Sequence, residues 1–213
     1  MLEFLASGPP TPSHRFLCAH GAGAGMSTPF LSALAAVLTD QGIATLRFEF
    51  AYMTERRSSG RRKPPPRAES LMDEYVAAVA AVAEGAPLLI GGKSMGGRVA
   101  SLVADRLYDQ GRIAGLVCLG YPFHPPNKPA QLRTAHLAGL ACPTLIIQGE
   151  RDPFGNRREV EGYPLAPAIR LHWAADGDHD LGPRGASGHT RRENLEAAAA
   201  AIAVFAKHIR PGR

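Results

Sequence analysis

The stretch PLLIGGKSMGG, residues 87–97, sets Lys93 and Ser94 behind paired glycines at the end of a short apolar run. Two chemistries fit that pairing. One is a phosphate-binding loop, whose lysine and serine meet phosphate oxygens and a metal ion. The other is a sharp turn that presents Ser94 as a nucleophile. A phosphate loop needs Gly-x-x-x-x-Gly-Lys-Ser, so that backbone N–H groups wrap the anion before a helix begins. Here Pro87 holds the place of the leading glycine and has no N–H to give, while residues 88–90 read as strand, so the cradle does not form. The turn reading asks for strand, Gly-x-Ser-x-Gly and helix. Its serine sits in a strained backbone conformation, and the residues two before and two after must be small, places filled by Gly92 and Gly96. At the amino end of the following helix, the N–H of Met95 can face a developing oxyanion.

A serine hydroxyl attacks a carbonyl only when a base removes its proton, and that base needs an acid to orient it. On a strand–turn–helix scaffold of this kind the acid and then the base follow later strands. PTLIIQGERDPFG, residues 143–155, runs from an apolar strand into a polar loop carrying Glu150 and Asp152. Asp152 is preferred as the acid, since it lies deeper in the turn ahead of Pro153 and Gly155, and Glu150 is the reserve. RLHWAADGDHDLG, residues 170–182, puts His179 in the loop between the last strand and the last helix, where a base should arrive; His172 falls inside the strand. A metal cluster of His179 with Asp176, Asp178 and Asp180 is the rival, but the acid spacing of a calcium loop, ending in a distant Glu, is absent. LCAHGAGAGMS, residues 17–27, follows the first apolar run. Its glycines let main-chain amides turn inward, which assigns Ala22 as the second oxyanion donor with Gly23 close behind on the substrate side. It is not a dinucleotide fingerprint, because Met26 or Thr28 stands where the third glycine belongs.

These residues need a scaffold, and the hydrophobic pattern supplies one. Apolar runs at 16–19, 44–50, 87–90, 113–119, 144–148 and 169–173 alternate with helical spacing over about 28–41, 69–84, 95–110, 157–162 and 190–209. Strand and helix in alternation predict an α/β fold, a mostly parallel sheet with helices on both faces and binding residues at the carboxyl ends of the strands. A chain of 213 residues, 45% hydrophobic and 20% charged, suits a single domain over 1–213. No run is long and apolar enough for a membrane span, which with the absence of a leader pattern gives a cytoplasmic expectation and no membrane partner. The three cysteines, Cys18, Cys118 and Cys142, lie in or beside apolar segments and read as small core residues.

Charge is concentrated rather than spread. Residues 56–67 hold Arg56, Arg57, Arg61, Arg62, Lys63 and Arg67 with no acid, and without those six the formal net charge of +5 becomes −1. That argues against a nucleic-acid-binding domain. The segment reads as a solvated, proline-stiffened loop, with contact to phosphates or an anionic substrate as the alternative. Residues 120–143 are too few for a large lid. Tyr121, Phe123 and His124, with His136, either wall a shallow substrate pocket or pack as an ordinary loop. Lys93 is expected at the surface.

Taken together, HGAGAG, GGKSMGG, QGERDPFG and GDHD, with YPFHPP, resemble the α/β-hydrolase superfamily from about residue 14 to 208, and more narrowly a group of compact predicted hydrolases similar to dienelactone-hydrolase-like enzymes. The resemblance implies the three-layer α/β-hydrolase fold with minimal or no lid, a Ser94–His179–Asp152 triad, no metal and no organic cofactor. Its early antiparallel strands are reduced here to one segment near residues 2–6. The expected function is hydrolysis of a small carboxylester or thioester through an acyl-enzyme, with the small-molecule ester as partner and homo-oligomer formation left open. The alternative is a catalytically idle α/β-hydrolase domain serving as a protein-interaction module, as some relatives act within larger complexes.

Overall fold

The computed structural model describes residues 2–61 and 64–209. Its strands are β1 (Leu5–Ser7), β2 (His14–Ala19), β3 (Ile43–Phe48), β4 (Leu88–Lys93), β5 (Gly115–Leu119), β6 (Thr144–Gly149) and β7 (Ile169–Ala174). They form one seven-stranded sheet in the order β1-β3-β2-β4-β5-β6-β7, antiparallel only where β1 meets β3. The other pairs are parallel, so the ends of β2, β4, β6 and β7 emerge along one edge of the sheet. That edge carries every candidate residue of the site.

The helices are α1 (Pro29–Asp40), α2 (Ala51–Ser59), α3 (Met72–Ala81), α4 (Met95–Asp109), the short α5 (Arg157–Val160) and α6 (Arg191–His208). α1 starts where the chain prescribes: Thr28 caps Leu31 N and Pro29 opens the first turn. α6 opens on a capping box between Thr190 and Glu193. Leu31, Leu34 and Leu38 of α1 and Leu195, Ile202 and Phe205 of α6 cover one face of the sheet. Tyr75 and Val79 of α3 and Val99, Val103 and Leu107 of α4 cover the other. β4, at the centre, is buried at every position, because a parallel strand between two helical layers has no solvent face.

The structure departs from the sequence reading in instructive places. β4 continues through Gly91 and Gly92 to Lys93 rather than stopping at Ile90, because glycine there lets Val117 and Ala19 approach within the space a Cβ would need. The start of the cationic segment is helical: Arg56 and Arg57 occupy the last turn of α2, which Gly60 ends in a left-handed conformation (φ 70°). Only Met53 of α2 is buried, so the apolar stripe that would have announced a helix is missing. Arg62 and Lys63 lie outside the described residues. No described helix is long and apolar enough to cross a membrane.

Candidate active site

Between β4 and α4 the chain turns through Ser94, whose φ of 51° and ψ of −114° place it in a region that side chains rarely occupy. Two features force the turn. A Cβ on Gly96 would lie 2.6 Å from both the Ala19 and the His20 carbonyl oxygens, so α4 can pack this closely to the end of β2 only with glycine there. Ser94 N also donates to Leu119 O at 2.9 Å, tying the turn to β5. Below it, the Tyr75 hydroxyl accepts from Gly91 N at 2.8 Å and braces β4 against α3.

Ser94 Oγ lies 2.9 Å from His179 Nε2, and His179 Nδ1 lies 2.8 Å from Asp152 Oδ2. Asp152 is fully buried. Its Oδ1 accepts from Phe154 N at 2.8 Å, and its Oδ2 also accepts from Gln148 Nε2 at 3.0 Å. Gln148 itself is anchored by Tyr121 N, which donates to its Oε1 at 2.7 Å. The Phe154 ring lies over the imidazole with centroids 4.3 Å apart. Glu150, the reserve acid, points elsewhere: it accepts from Arg157 Nη1 at 3.0 Å and from Asp176 N at 2.9 Å.

The loop that delivers His179 is stapled at both ends. Asp178 Oδ1 accepts from Asp180 N and Gly182 N at 2.9 and 2.8 Å, and Leu181 is buried with its carbonyl bonded by Asn194 Nδ2 at 2.8 Å. Asp176 pairs with Arg184 and Arg151, and hydrogen bonds from Arg184 hold its carboxyl down at about 2. The carboxylates of Asp176 and Asp178 thus serve the loop. Gly120 (φ 59°) completes the fit, since a Cβ there would sit 2.7 Å from His179 O.

A cleft of about 310 Å³ opens over Ser94 and His179. Gly21, Ala22 and Gly23 form one side and Phe30, Leu31 and Phe154 supply apolar surface. Met95 N stands at the first position of α4, where no carbonyl four residues back within the helix can take it. Ala22 faces the same cleft; Gly21 O, at the other end of the peptide that carries Ala22 N, is turned toward the His20 ring, and the Ala22 carbonyl accepts from the Tyr52 hydroxyl at 3.2 Å. His20, in the same loop, is buried, with Nδ1 donating to Gly21 O at 2.6 Å and Nε2 accepting from Phe50 N at 3.2 Å; its pKa falls because burial disfavours the charge, against the opposing pull of the Gly21 bond. Larger cavities of about 580 and 610 Å³ lie away from Ser94, one beside α2 and the N-terminal segment and the other at the opposite edge of the sheet near Arg15 and Arg112.

Three of the expected substrate contacts are corrected. Tyr121, Phe123 and His124 are 0, 0 and 2% exposed and do not line the cleft. They face the opposite layer: the rings of Tyr121 and Phe123 meet at a tilt with centroids 4.9 Å apart within the core, and His124 Nε2 meets Glu159 at 3.4 Å. The segment that carries them folds back onto the sheet because its apolar side chains bury more area there than over an open site. His136 goes with them, its Nε2 lying 2.8 Å from Ser101 Oγ; Ser101 is 2% exposed and neither residue lines the cleft, so that contact is packing. Lys93 is likewise corrected. Instead of reaching the surface it lines the cleft at 7% exposure, over the Phe30 ring and 3.2 Å from Asp180 Oδ1, and burial lowers its pKa against the pull of Asp180. Gln148 and Phe154 were not singled out from the sequence. The signal for Gln148 was there, a polar residue directly after the apolar run Leu145–Ile147 of β6.

Among solved structures, the chain is similar to a dienelactone hydrolase from Anabaena variabilis (22% identity, covering 98% of this chain and 92% of that one, TM-score 0.72). It is also similar to a serine hydrolase without lid from Xanthomonas campestris (17%, 97% and 88%, TM-score 0.69). A third is the esterase domain of a Rhodothermus marinus protein (16%, 98% and 93%, TM-score 0.66). At these identities the likeness speaks for the fold. A family model described as an alpha/beta hydrolase domain matches residues 12–207, nearly the whole length, and the chain belongs to that family.

Proposed function

We propose that this protein is a serine hydrolase that cleaves a small ester-type bond, carboxylester or thioester, through an acyl-enzyme. One observation carries the reading: a single imidazole, His179, within hydrogen-bond reach of both Ser94 Oγ (2.9 Å) and the buried Asp152 carboxylate (2.8 Å). Asp152 receives Nδ1–H, leaving Nε2 free to take the proton of Ser94 as its oxygen attacks the carbonyl. The tetrahedral oxyanion forms beside Met95 N and Ala22 N, the two amides this reading assigns to it. His179 then returns the proton to the leaving alcohol or thiol. Water, deprotonated by the same imidazole, attacks the acyl-Ser94 ester, releasing the acid and restoring the hydroxyl. The cleft of about 310 Å³, with no lid over it among the described residues, favours a short or partly exposed acyl group. The names of the similar esterase domain and dienelactone hydrolase point to the same bond type.

Ser94→Ala tests this directly. It should lower turnover of p-nitrophenyl butyrate by ~10³-fold or more and abolish labelling by a fluorophosphonate probe, as removal of a triad nucleophile does elsewhere. A wild-type protein that neither reacts with the probe nor outpaces its Ser94→Ala variant would favour the idle interaction module instead.

A further inference from the structure

The cationic segment that stood out in the sequence has no role in that mechanism, yet its described arginines are built into the wall beside the site. A side cavity of about 350 Å³, lined by Arg56, Arg57, Glu49 and Met53, shares Gly23 and Ala24 with the cleft over Ser94. The partition is a strip of backbone. Gly23 is exposed, and a Cβ built on it would meet nothing within 4 Å, so no side chain closes the passage at that point.

The charges around the side cavity do not cancel. Glu49 is 7% exposed and is answered by Arg57 Nε at 3.1 Å and by Met26 N at 3.2 Å. Arg57 extends its other arm to Glu3 at 3.3 Å, so its charge is already shared between two carboxylates. Arg56 differs. Its Nη1 donates to Gly23 O at 3.0 Å, which aims the guanidinium along the shared lip, and no ion pair to it occurs among the described residues. Glu55, its neighbour in sequence, lines the cavity on the far side of α2 with Glu74. A guanidinium that lines an open cavity suits a carboxylate or phosphate, which it can hold with charge-assisted hydrogen bonds. Among the described residues, the Lys or Arg side chain that lines the cleft itself, Lys93, is paired with Asp180.

We propose that Arg56 and the side cavity form an anion subsite, and that the substrate is an ester or thioester bearing a carboxylate or phosphate a short distance from the carbonyl that Ser94 attacks. The substrate class rests on the hydrolase reading above, whereas the subsite itself does not. The anionic group would sit over Gly23 against Arg56 while the acyl carbonyl lies in the cleft.

The test compares p-nitrophenyl butyrate with p-nitrophenyl hydrogen glutarate, and measures inhibition of butyrate hydrolysis by inorganic phosphate. Wild-type protein should prefer the glutarate ester or be inhibited competitively by phosphate; the first outcome identifies a carboxylate substrate and the second a phosphate-bearing one. Arg56→Gln should reduce the anionic-to-neutral ratio of kcat/KM, or the affinity for phosphate, by ~10-fold or more, as expected for a lost charge-assisted pair. Arg56→Lys should retain part of either preference, and Arg61→Gln, on the exposed side, should change neither. An unchanged ratio and unchanged phosphate inhibition in Arg56→Gln would overturn the subsite while leaving the hydrolase intact. Titration of Ser94→Ala with glutarate and with phosphate, followed by calorimetry, separates the two ideas. Binding that disappears when Arg56→Gln is added supports the subsite even if no ester is turned over, and binding indifferent to Arg56 rejects it.

Discussion

Asp152→Asn is the perturbation that most sharply probes the arrangement, because asparagine keeps the shape of the side chain and changes what one atom can do. Three donors converge on this carboxylate: Phe154 N on Oδ1 at 2.8 Å, and His179 Nδ1 and Gln148 Nε2 on Oδ2 at 2.8 and 3.0 Å. If the amide oxygen stays with Phe154, the new NH₂ confronts both His179 and Gln148. If the amide flips, it confronts the Phe154 N–H. In the first arrangement the imidazole must offer Nδ1 as an acceptor and carry its proton on Nε2, where it cannot receive the proton of Ser94. The expected loss in kcat is ~10⁴-fold, equivalent to roughly 5 kcal/mol of transition-state stabilisation. Folding should suffer less, by about 1–3 kcal/mol for one unmet buried donor. The assay is kcat on p-nitrophenyl butyrate beside a thermal melt in the same buffer. Glu150→Gln is the matched control: it disturbs a partly exposed pair with Arg157 and should cost less than about tenfold. An Asp152→Asn protein that stays folded and works within tenfold of wild type would refute the reasoning, and a larger loss in Glu150→Gln would move the acid to that residue.

Gly96→Ala should drive a methyl to within 2.6 Å of two backbone carbonyls that have no room to yield, lowering stability by about 1–3 kcal/mol and the melting temperature by ~2–4 °C for each of those kilocalories; an unaltered melt and unaltered turnover would show that α4 can retreat from β2. His20 sets part of the acid sensitivity of the fold. Burial lowers its pKa from 6.5, so the unfolded chain binds the proton more readily than the native one, and stability present above pH 6.5 is lost as the pH falls through the native value. In denaturant titrations between about pH 7 and pH 5, wild type should therefore lose more stability than His20→Gln, and parallel curves would assign the acid sensitivity elsewhere.

Much of the site was legible from local pattern. Ser94 was marked by its glycines, since only a residue without Cβ tolerates the approach of strand and helix at Gly92 and Gly96. His179 was marked by position, between the last strand and the last helix. Less was legible where a side chain's fate depends on distant neighbours. Tyr121, Phe123 and His124 follow β5 directly and could have faced either the cleft or the core. α2 buries only Met53 and left no periodic trace.

By itself, then, the chain's order of apolar runs, caps and glycines determined an α/β sheet with a serine elbow and later polar turns for an acid and a base, because propensity, periodicity and backbone sterics act over a few residues at a time. Tertiary structure alone decided that Gln148 and Phe154 brace the Asp152 carboxylate, that Lys93 is buried against Phe30 and Asp180, and that Arg56 borders the site across Gly23. Those outcomes depend on hydrogen bonds and charges between segments as far apart as residues 94 and 179, whose separation is set by the packing of two helical layers on one sheet.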